Sequence, residues 1–443
     1  MLNSTYEIAN FYDQFLTYLN YSLLVIDGFL LLFFSWFYIY CLINSFKKNK
    51  KFEPKENVTK FAVLVAARDE SAVVSNLLKS LKNQKYPKNL FDVYVIVESK
   101  KDKSVNITYK YGYKVIIREE IEGKRTKGYA LDDAYKYLER HKLSYDAYLI
   151  FDADNIVSPD YLSAMNTLKQ NGYDIGMGYR NFTNLSKNWL TITSGILFSF
   201  MDIFSTNGKS KLFHKVQLTG TGYFVDSKIV KDAGGWIWNG MTEDVELTYY
   251  AHKNNIKMKY YPFCEYFDEQ AGDFETMHNQ HIRWIWGYIS DKKEKFKEYK
   301  FDYDPDEDLR NKIARIENNI SVYPFVIFVI LEVLTSFIDL LIGIYCSIWV
   351  PSIAPYAFIY GAYHILIVYF TFVFIAIFTI SLDRKHLKLG FKNSLKGIFM
   401  FPFFFLDFLL AFLDGLFHQN KRNNWLKTKH SGEVLNKEAN NIK

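Results

Sequence analysis

The sequence predicts an α/β domain built on a mostly parallel sheet, with apolar helices on either side of it. Three observations lead there. Short β-branched runs such as "KFAVLVAARDE", "FDVYVIVES" and "DAYLIFDAD" end in polar residues, and stretches of helical spacing such as "SAVVSNLLKSLKNQ" lie between them. Strand, helix and strand in repetition imply a sheet covered on both faces. The chain is also 49% hydrophobic and 18% aromatic, yet its mean hydropathy is only −0.11. A polar part is therefore averaged with a very apolar one. Finally, the apolar residues gather into long runs near the start and beyond Val322.

Taken in order, residues 1–20 are expected outside the cell and residues 21–43 as a crossing helix. Tyr21 to Ile43 is a mainly apolar run of about 20 residues, the length that spans the hydrocarbon core. It is too long and too far from the start for a signal-peptide core. The basic stretch "KKNKKFEPK" follows it, which faces that end to the cytoplasm. Residues 44–300 read as the cytoplasmic α/β domain and 301–321 as an interfacial linker. Residues 322–382 carry two further crossing helices, and the basic loop 383–396 returns to the cytoplasm. Pro402, Asp407 and Asp414 make residues 397–420 a poor lipid-facing span. An in-plane or re-entrant helix is expected there, with the tail 421–443 cytoplasmic. The whole reads as a multi-pass plasma-membrane protein whose first partner is the bilayer.

A formal charge of +6, with lysines beside apolar segments, does not form a nucleic-acid patch, so that partner class is set aside. Cys41, Cys264 and Cys346 lie far apart, which argues against a disulfide framework and a thiolate metal site.

The chemistry-bearing residues begin with "YLIFDADNIVSP", where Asp152 and Asp154 end an apolar run. In a parallel sheet ligands bind beyond the carboxyl ends of the strands. Two carboxylates there suit Mg²⁺ or Mn²⁺ shared with substrate phosphates. Alone, such a pair more often ends a strand for turn reasons. It is not alone. "NGMTEDVELTYYA" puts Glu243 and Asp244 at a helix start, where acids also serve as caps. "QHIRWIWGY" brings Gln280, Arg283 and Trp284 together, a phosphate-pairing guanidinium beside a flat aromatic surface. "LTGTGYFV" contains a turn, Gly220, Thr221 and Gly222, that permits close backbone approach to a ligand. A cap, an aromatic belt and an ordinary turn explain each one singly; all three in this order is a much rarer coincidence.

The segments "VLVAARDE", "FDADN", "GTGYF", "GGW", "TED" and "QHIRW", in that order, resemble the membrane-embedded inverting glycosyltransferases of family 2. These include cellulose, hyaluronan and chitin-type synthases and bacterial exopolysaccharide transferases. The resemblance covers about Phe61 to Trp286 and implies a GT-A, Rossmann-like catalytic domain. It implies a UDP-sugar donor held by Ala67, Arg68, Glu70, Glu98, Lys127, Asp152, Gln280 and Arg283. Lys127 stands in "KGYAL", which matches the family's "KGxAL". It further implies a divalent ion, Mg²⁺ or Mn²⁺, on Asp154 and Asp152, and a catalytic group of Asp244, Glu243 and Arg283 with Asp244 as base. Gly220, Thr221, Gly222 and Trp284 would face the acceptor, a growing glycan or a lipid. One stretch departs from the family. Where exopolysaccharide transferases read like "ADNCTDDTA", this chain has "VESKKDKSV", keeping acids at Glu98 and Asp102 but adding Lys100, Lys101 and Lys103.

The leading expectation from this resemblance is a processive synthase that polymerises a β-linked hexose, glucose or N-acetylglucosamine, and exports it through its own helices. The alternatives are a single-addition transferase acting on a membrane lipid, and an inactive partner in polysaccharide export. A homo-oligomer is left open. Glu332 and Asp339, and likewise Asp407 and Asp414, are each seven residues apart on one helical face. Such acids either line the exit path of a glycan or pair with basic side chains.

Overall fold

The computed structural model of the chain describes residues 2–118, 125–295, 309, 311–313, 323–418, 428 and 430–442. Most of the expected linker 301–321 lies outside the described residues.

The first helix, α1 (Leu2–Phe46), carries the expected apolar segment but starts far earlier. Residues assigned to an outer N-terminus thus belong to the same helix. The α/β domain follows: β1 (Phe61–Ala66), α2 (Val74–Lys82), β2 (Phe91–Val97), α3 (Lys103–Lys110), β3 (Lys114–Ile117), α4 (Lys127–Arg140), β4 (Ala147–Asp152), β5 (Ile156–Val157), α5 (Tyr161–Gln170) and β6 (Ile175–Phe182). Next come α6 (Trp189–Met201), α7 (Asn207–Phe213), β7 (Tyr223–Asp226), α8 (Ser227–Asp232), α9 (Glu243–Lys253), β8 (Met258–Asp268) and α10 (Phe274–Lys295).

The strands form one mixed sheet in the order β3-β2-β1-β4-β7-β6-β8-β5. β1, β2, β3 and β4 pair in parallel, as do β6 and β8, whereas β7 and β5 run antiparallel to their neighbours. Alternation along the strands builds two cores. Phe61, Val63 and Val65 join Leu77, Leu81 and Met165 on one face. Ala62 and Leu64 join Leu131, Leu138 and Leu247 on the other. A period of two in the strands against helical spacing in the covers produces this split.

Beyond the domain lie α11 (Tyr323–Trp349), α12 (Ala354–Leu382), α13 (Arg384–Leu387), α14 (Phe391–Phe417) and α15 (Lys437–Ile442). By length and composition, four helices among the described residues could cross a membrane: Trp189–Phe213, Ile327–Trp349, Ala354–Leu382 and Phe391–Phe417. The first, α6 continued through a π-turn into α7, falls within the stretch expected to be a soluble domain. It is 67% buried, and it packs against α1 and α14. At Gly208 of α7 a Cβ would lie 2.2 Å from the Cys41 carbonyl oxygen, so this contact with α1 requires glycine. The segment 397–420 also differs from expectation. α14 begins at Phe391, inside the expected basic loop, and runs unbroken past Pro402.

Three acids of the apolar helices, Glu332, Asp407 and Asp414, are hydrogen-bonded to histidines, whereas Asp339 lies 3.7 Å from His364. Glu332 of α11 bonds His364 of α12. Asp407 of α14 accepts from His278 and His281 of α10, both at 2.6 Å. Asp414 Oδ2 lies 3.1 Å from the other ring nitrogen of His278. Glu332, Asp339 and Asp407 are 2%, 0% and 1% exposed. Glu332, Asp407 and Asp414 thus have basic partners, as one of the two readings drawn from their spacing expects. Burial of a charge without a partner is costly, and the pairing bolts α14 to α10.

Candidate active site

Parallel pairing decides what meets at the carboxyl edge of the sheet. Ala66 at the end of β1 is level with Ile96 of β2 and Asp152 of β4. Arg68, Glu98 and Asp154, which follow these strands, thus leave the sheet together. Ala67 anchors the turn, its N–H donating to the Ile96 carbonyl at 2.9 Å.

Arg68 Nε sits 3.0 Å from Glu98 Oε2, and Arg118 Nη1 sits 3.6 Å from the other oxygen. Glu98 is thus held between two guanidiniums and orients Arg68. Asp102 is occupied as well: it caps α3 by accepting from Ser104 N and pins the loop by accepting from Asp69 N, both at 2.8 Å. Asp69 holds φ at 56°, and this second bond offsets the strain. Arg68, Asp69, Glu98, Ser99, Lys101 and Asp102 line a polar cavity of about 220 Å³.

Lys127 opens α4 and is buried. Its ammonium pairs with Asp152, donates to the Gly220 carbonyl at 2.6 Å and lies 3.7 Å from Glu243. Burial opposes its charge, but Asp152 and Glu243 hold its pKa above the usual lysine value. Gly220 and Gly222 have φ of 86° and 67°, and a Cβ on Gly222 would stand 2.1 Å from the Tyr266 ring. Thr221 between them accepts from Asp152 N at 2.9 Å. The glycine turn is therefore tied to the aspartate pair. It also faces the acids of α9, since a Cβ on Gly220 would lie 3.9 Å from Asp244 Oδ2.

Glu243 and Asp244 stand in the first turn of α9, where the helix dipole favours negative charge. Burial pushes Glu243 up to about 8, with Lys127 opposing and Asp244 adding to the shift. Burial raises Asp244 to about 6, again against Lys127. Both carboxyls are held above the ordinary range, Glu243 the further of the two, so Asp244 is the more readily ionised member, as a general base requires. A base must be unprotonated, so kcat/KM is expected to fall about tenfold per unit below pH 6. A profile flat from pH 7 to 4 would remove Asp244 from that role.

Arg283 of α10 faces the same group. Burial draws its pKa down while Glu243, Asp152 and Asp244 pull it back up, and a guanidinium stays charged throughout. Two expected residues are placed differently. Gln280 donates to Thr428 Oγ1 at 3.3 Å, so it meets the C-terminal tail. Trp284 packs edge-on to Phe198, ring centres 6.1 Å apart, and 5.4 Å from the His281 ring.

Asp154 is buried and accepts from Glu269 N at 3.1 Å. Burial, then Asp268 and Asp152, raise its pKa well above the carboxylate range, with His430 opposing. Asp268 is itself bound by Arg180, Gln270 and Asn155. Sequence reasoning missed Arg180, Asp268, Glu269 and His430. "EYFDEQAG" carried the same signal as "YLIFDADN", acids closing an apolar strand, whereas nothing local marks His430.

A family model for glycosyltransferase-like family 2 matches residues 59–287, more than half of the chain. The chain belongs to this family. This glycosyltransferase is 23% identical over 254 residues to a protein of Bacillus subtilis named probable glycosyltransferase YdaM, covering 55% of the chain and 59% of that protein. It is 27% identical over 233 residues to the beta-monoglucosyldiacylglycerol synthase of Nostoc sp., covering 51% and 48% respectively. The chain thus spans about half to three-fifths of the length of these curated relatives. Among solved structures, the mannosyltransferase PcManGT of Pyrobaculum calidifontis, in complex with GDP-Man and Mn²⁺, aligns at a TM-score of 0.54 and 13% identity. It covers 90% of this chain and 99% of that one, a likeness of fold. The chain therefore has a GT-A domain of family 2 with apolar helices attached.

Proposed function

We propose that this glycosyltransferase moves a hexose, with inversion, from a UDP-sugar to the hydroxyl of a membrane-lipid acceptor. The observation that carries the reading is the convergence of Lys127, Asp152, Glu243, Asp244 and Arg283 at one sheet edge. In a single displacement the acceptor oxygen bonds to the anomeric carbon as the bond to the diphosphate oxygen breaks. Asp244 takes the hydroxyl proton, an effect of about 10²- to 10⁴-fold. Arg283 and Lys127 provide fixed positive charge where the leaving diphosphate gains negative charge. The cavity beside Arg68 and Lys101 suits the polar nucleoside end.

The donor set fits a divalent ion. Asp154 and Asp152 are oxygen ligands, and the crowding of Asp154 by Asp268 favours a cation among them. Among the described residues no three His, Cys, Asp or Glu side chains stand ready as a metal cluster, so the donor phosphates would complete the shell, as Mg²⁺ and Mn²⁺ sites allow. When bound, the ion would neutralise diphosphate charge.

The lipid acceptor is favoured because Glu332 and Asp407 are hydrogen-bonded to His364, His278 and His281. A relative named for diacylglycerol glucosylation agrees with it. "QHIRW" favours the second reading, polymerisation of a β-linked hexose with export. Purified full-length chain in nanodiscs is tested for nucleotide release with a panel of UDP-sugars, with and without Mg²⁺ or Mn²⁺ and diacylglycerol. Release that requires lipid and yields a glycolipid supports the first reading. A long product without added lipid establishes the second, and no release with any donor overturns both.

A further inference from the structure

Helix α10 is gripped along one side by α14. His278 Nδ1 lies 2.6 Å from Asp407 Oδ1, and His281 Nδ1 lies 2.6 Å from Asp407 Oδ2. One carboxylate thus holds a single turn of α10 at two points, and both Asp407 and His281 are buried. The His281 ring stacks on Phe408 with the centres 3.9 Å apart. Further along, the Trp286 ring stacks on Phe412 at 5.3 Å. A Cβ on Gly415 would stand 1.9 Å from Trp286 Nε1, so α14 admits this ring only where it has a glycine.

The opposite side of α10 faces the acids of α9. Arg283 follows His281 by two residues, about 200° round the helix. Gly287 stands one turn beyond Arg283, on the same face. A Cβ on Gly287 would lie 2.9 Å from Thr242 Cγ2 and 3.1 Å from Met241 Cβ, the two residues that lead into Glu243 and Asp244. Helix α10 therefore runs between the start of α9 and α14, with the arginine on one face and the clamp on the other. Two bonds to one rigid carboxylate fix the rotation of the helix as well as its distance, which a single bond does not. Rotation matters here. A fixed charge stabilises a growing one only where it already stands, and a misplacement of about 1 Å can cost about 10²-fold in rate.

Resting on the reading of Arg283 at the leaving diphosphate, we propose that Asp407 is a positioning residue for sugar transfer: through His278 and His281 it fixes the rotation of α10 and so aims Arg283. Helix α14 is long and apolar enough to cross a membrane, so the aim of the arginine is set from among the apolar helices. The histidine of "QHIRW" thereby has a use of its own. Arg283 acts chiefly on charge that grows after the donor has bound, so loss of the clamp falls on kcat and leaves donor KM nearly unchanged.

The test is steady-state nucleotide release by the full-length protein in nanodiscs, with kcat and donor KM measured separately for the UDP-sugar that the panel above turns over. Asp407→Ala is expected to lower kcat by about 10²-fold while donor KM changes by less than about twofold. Where that variant does not fold, His281→Phe reads the same contact: it keeps a ring against Phe408, removes one of the two bonds, and is expected to lower kcat by about tenfold. Each substitution is repeated in Arg283→Lys, where it is expected to cost no more than about twofold further, because a group that acts through the arginine has nothing left to aim. A kcat within about twofold of wild type in the folded variant, a loss confined to donor KM, or losses that multiply in the double variant overturn the proposal. Arg283→Lys alone separates the two layers: release as fast as wild type would end the reading of Arg283 itself. Hydrogen exchange along α10 reads the clamp without any turnover. It is expected to quicken in His281→Phe, and exchange equal to wild type would remove the clamp.

Discussion

Asp244→Asn is expected to lower sugar transfer by about 10²- to 10⁴-fold, with the affinity for the donor changed little. The substitution keeps the size of the side chain and removes only its capacity to take a proton. Asp244 stands in the first turn of α9, close to the glycine turn, and its pKa of about 6 makes it the more readily ionised of the two carboxyls. Glu243 lies one residue earlier but is pushed up to about 8 by burial, so Glu243→Gln is expected to have the smaller effect. Initial rates of nucleotide release, beside donor affinity from equilibrium binding, decide the matter. A loss below tenfold in Asp244→Asn, or a greater one in Glu243→Gln, would move the base to Glu243.

Arg180→Met is expected to destabilise the catalytic domain by roughly 3–5 kcal/mol, the usual cost of leaving one partner of a buried ion pair. Arg180 meets Asp268 through two nitrogens and donates to the Thr219 carbonyl at 2.9 Å. Its guanidinium also stacks 4.0 Å from the Phe198 ring centre, which joins the sheet to α6. The double variant Arg180→Met/Asp268→Asn removes the stranded charge and should recover part of the loss. Unfolding of wild type and both variants in one detergent measures the differences. A single variant within about 1 kcal/mol of wild type would show that Gln270 and Asn155 satisfy Asp268 by themselves.

These two predictions draw on different amounts of sequence information. Asp244 is visible in "TED" because a helix start and a family order both mark it. Arg180 is not visible. It lies mid-strand in β6, and its partner Asp268 is 88 residues away, brought near by the parallel pairing of β6 with β8. No local pattern reports such a contact. The "QHIRW" stretch shows both cases at once. Its Arg283 reaches the expected carboxylates. Its histidine, at a variable position of the motif, is the clamp to Asp407 of α14.

The sequence alone determined the α/β domain, its parallel centre and the carboxyl edge where Asp152 and Asp154 emerge, because period-two and helical spacing are local properties that burial acts on directly. It also marked the apolar helices, since length and hydropathy need no partner to be read. Tertiary structure alone decided that α6 and α7 lie among those helices, that the intrahelical acids bind histidines, and that residue 430 returns to residue 154. Each of these depends on which distant surfaces meet, and the free energy of such a contact belongs to the pair and to neither residue by itself.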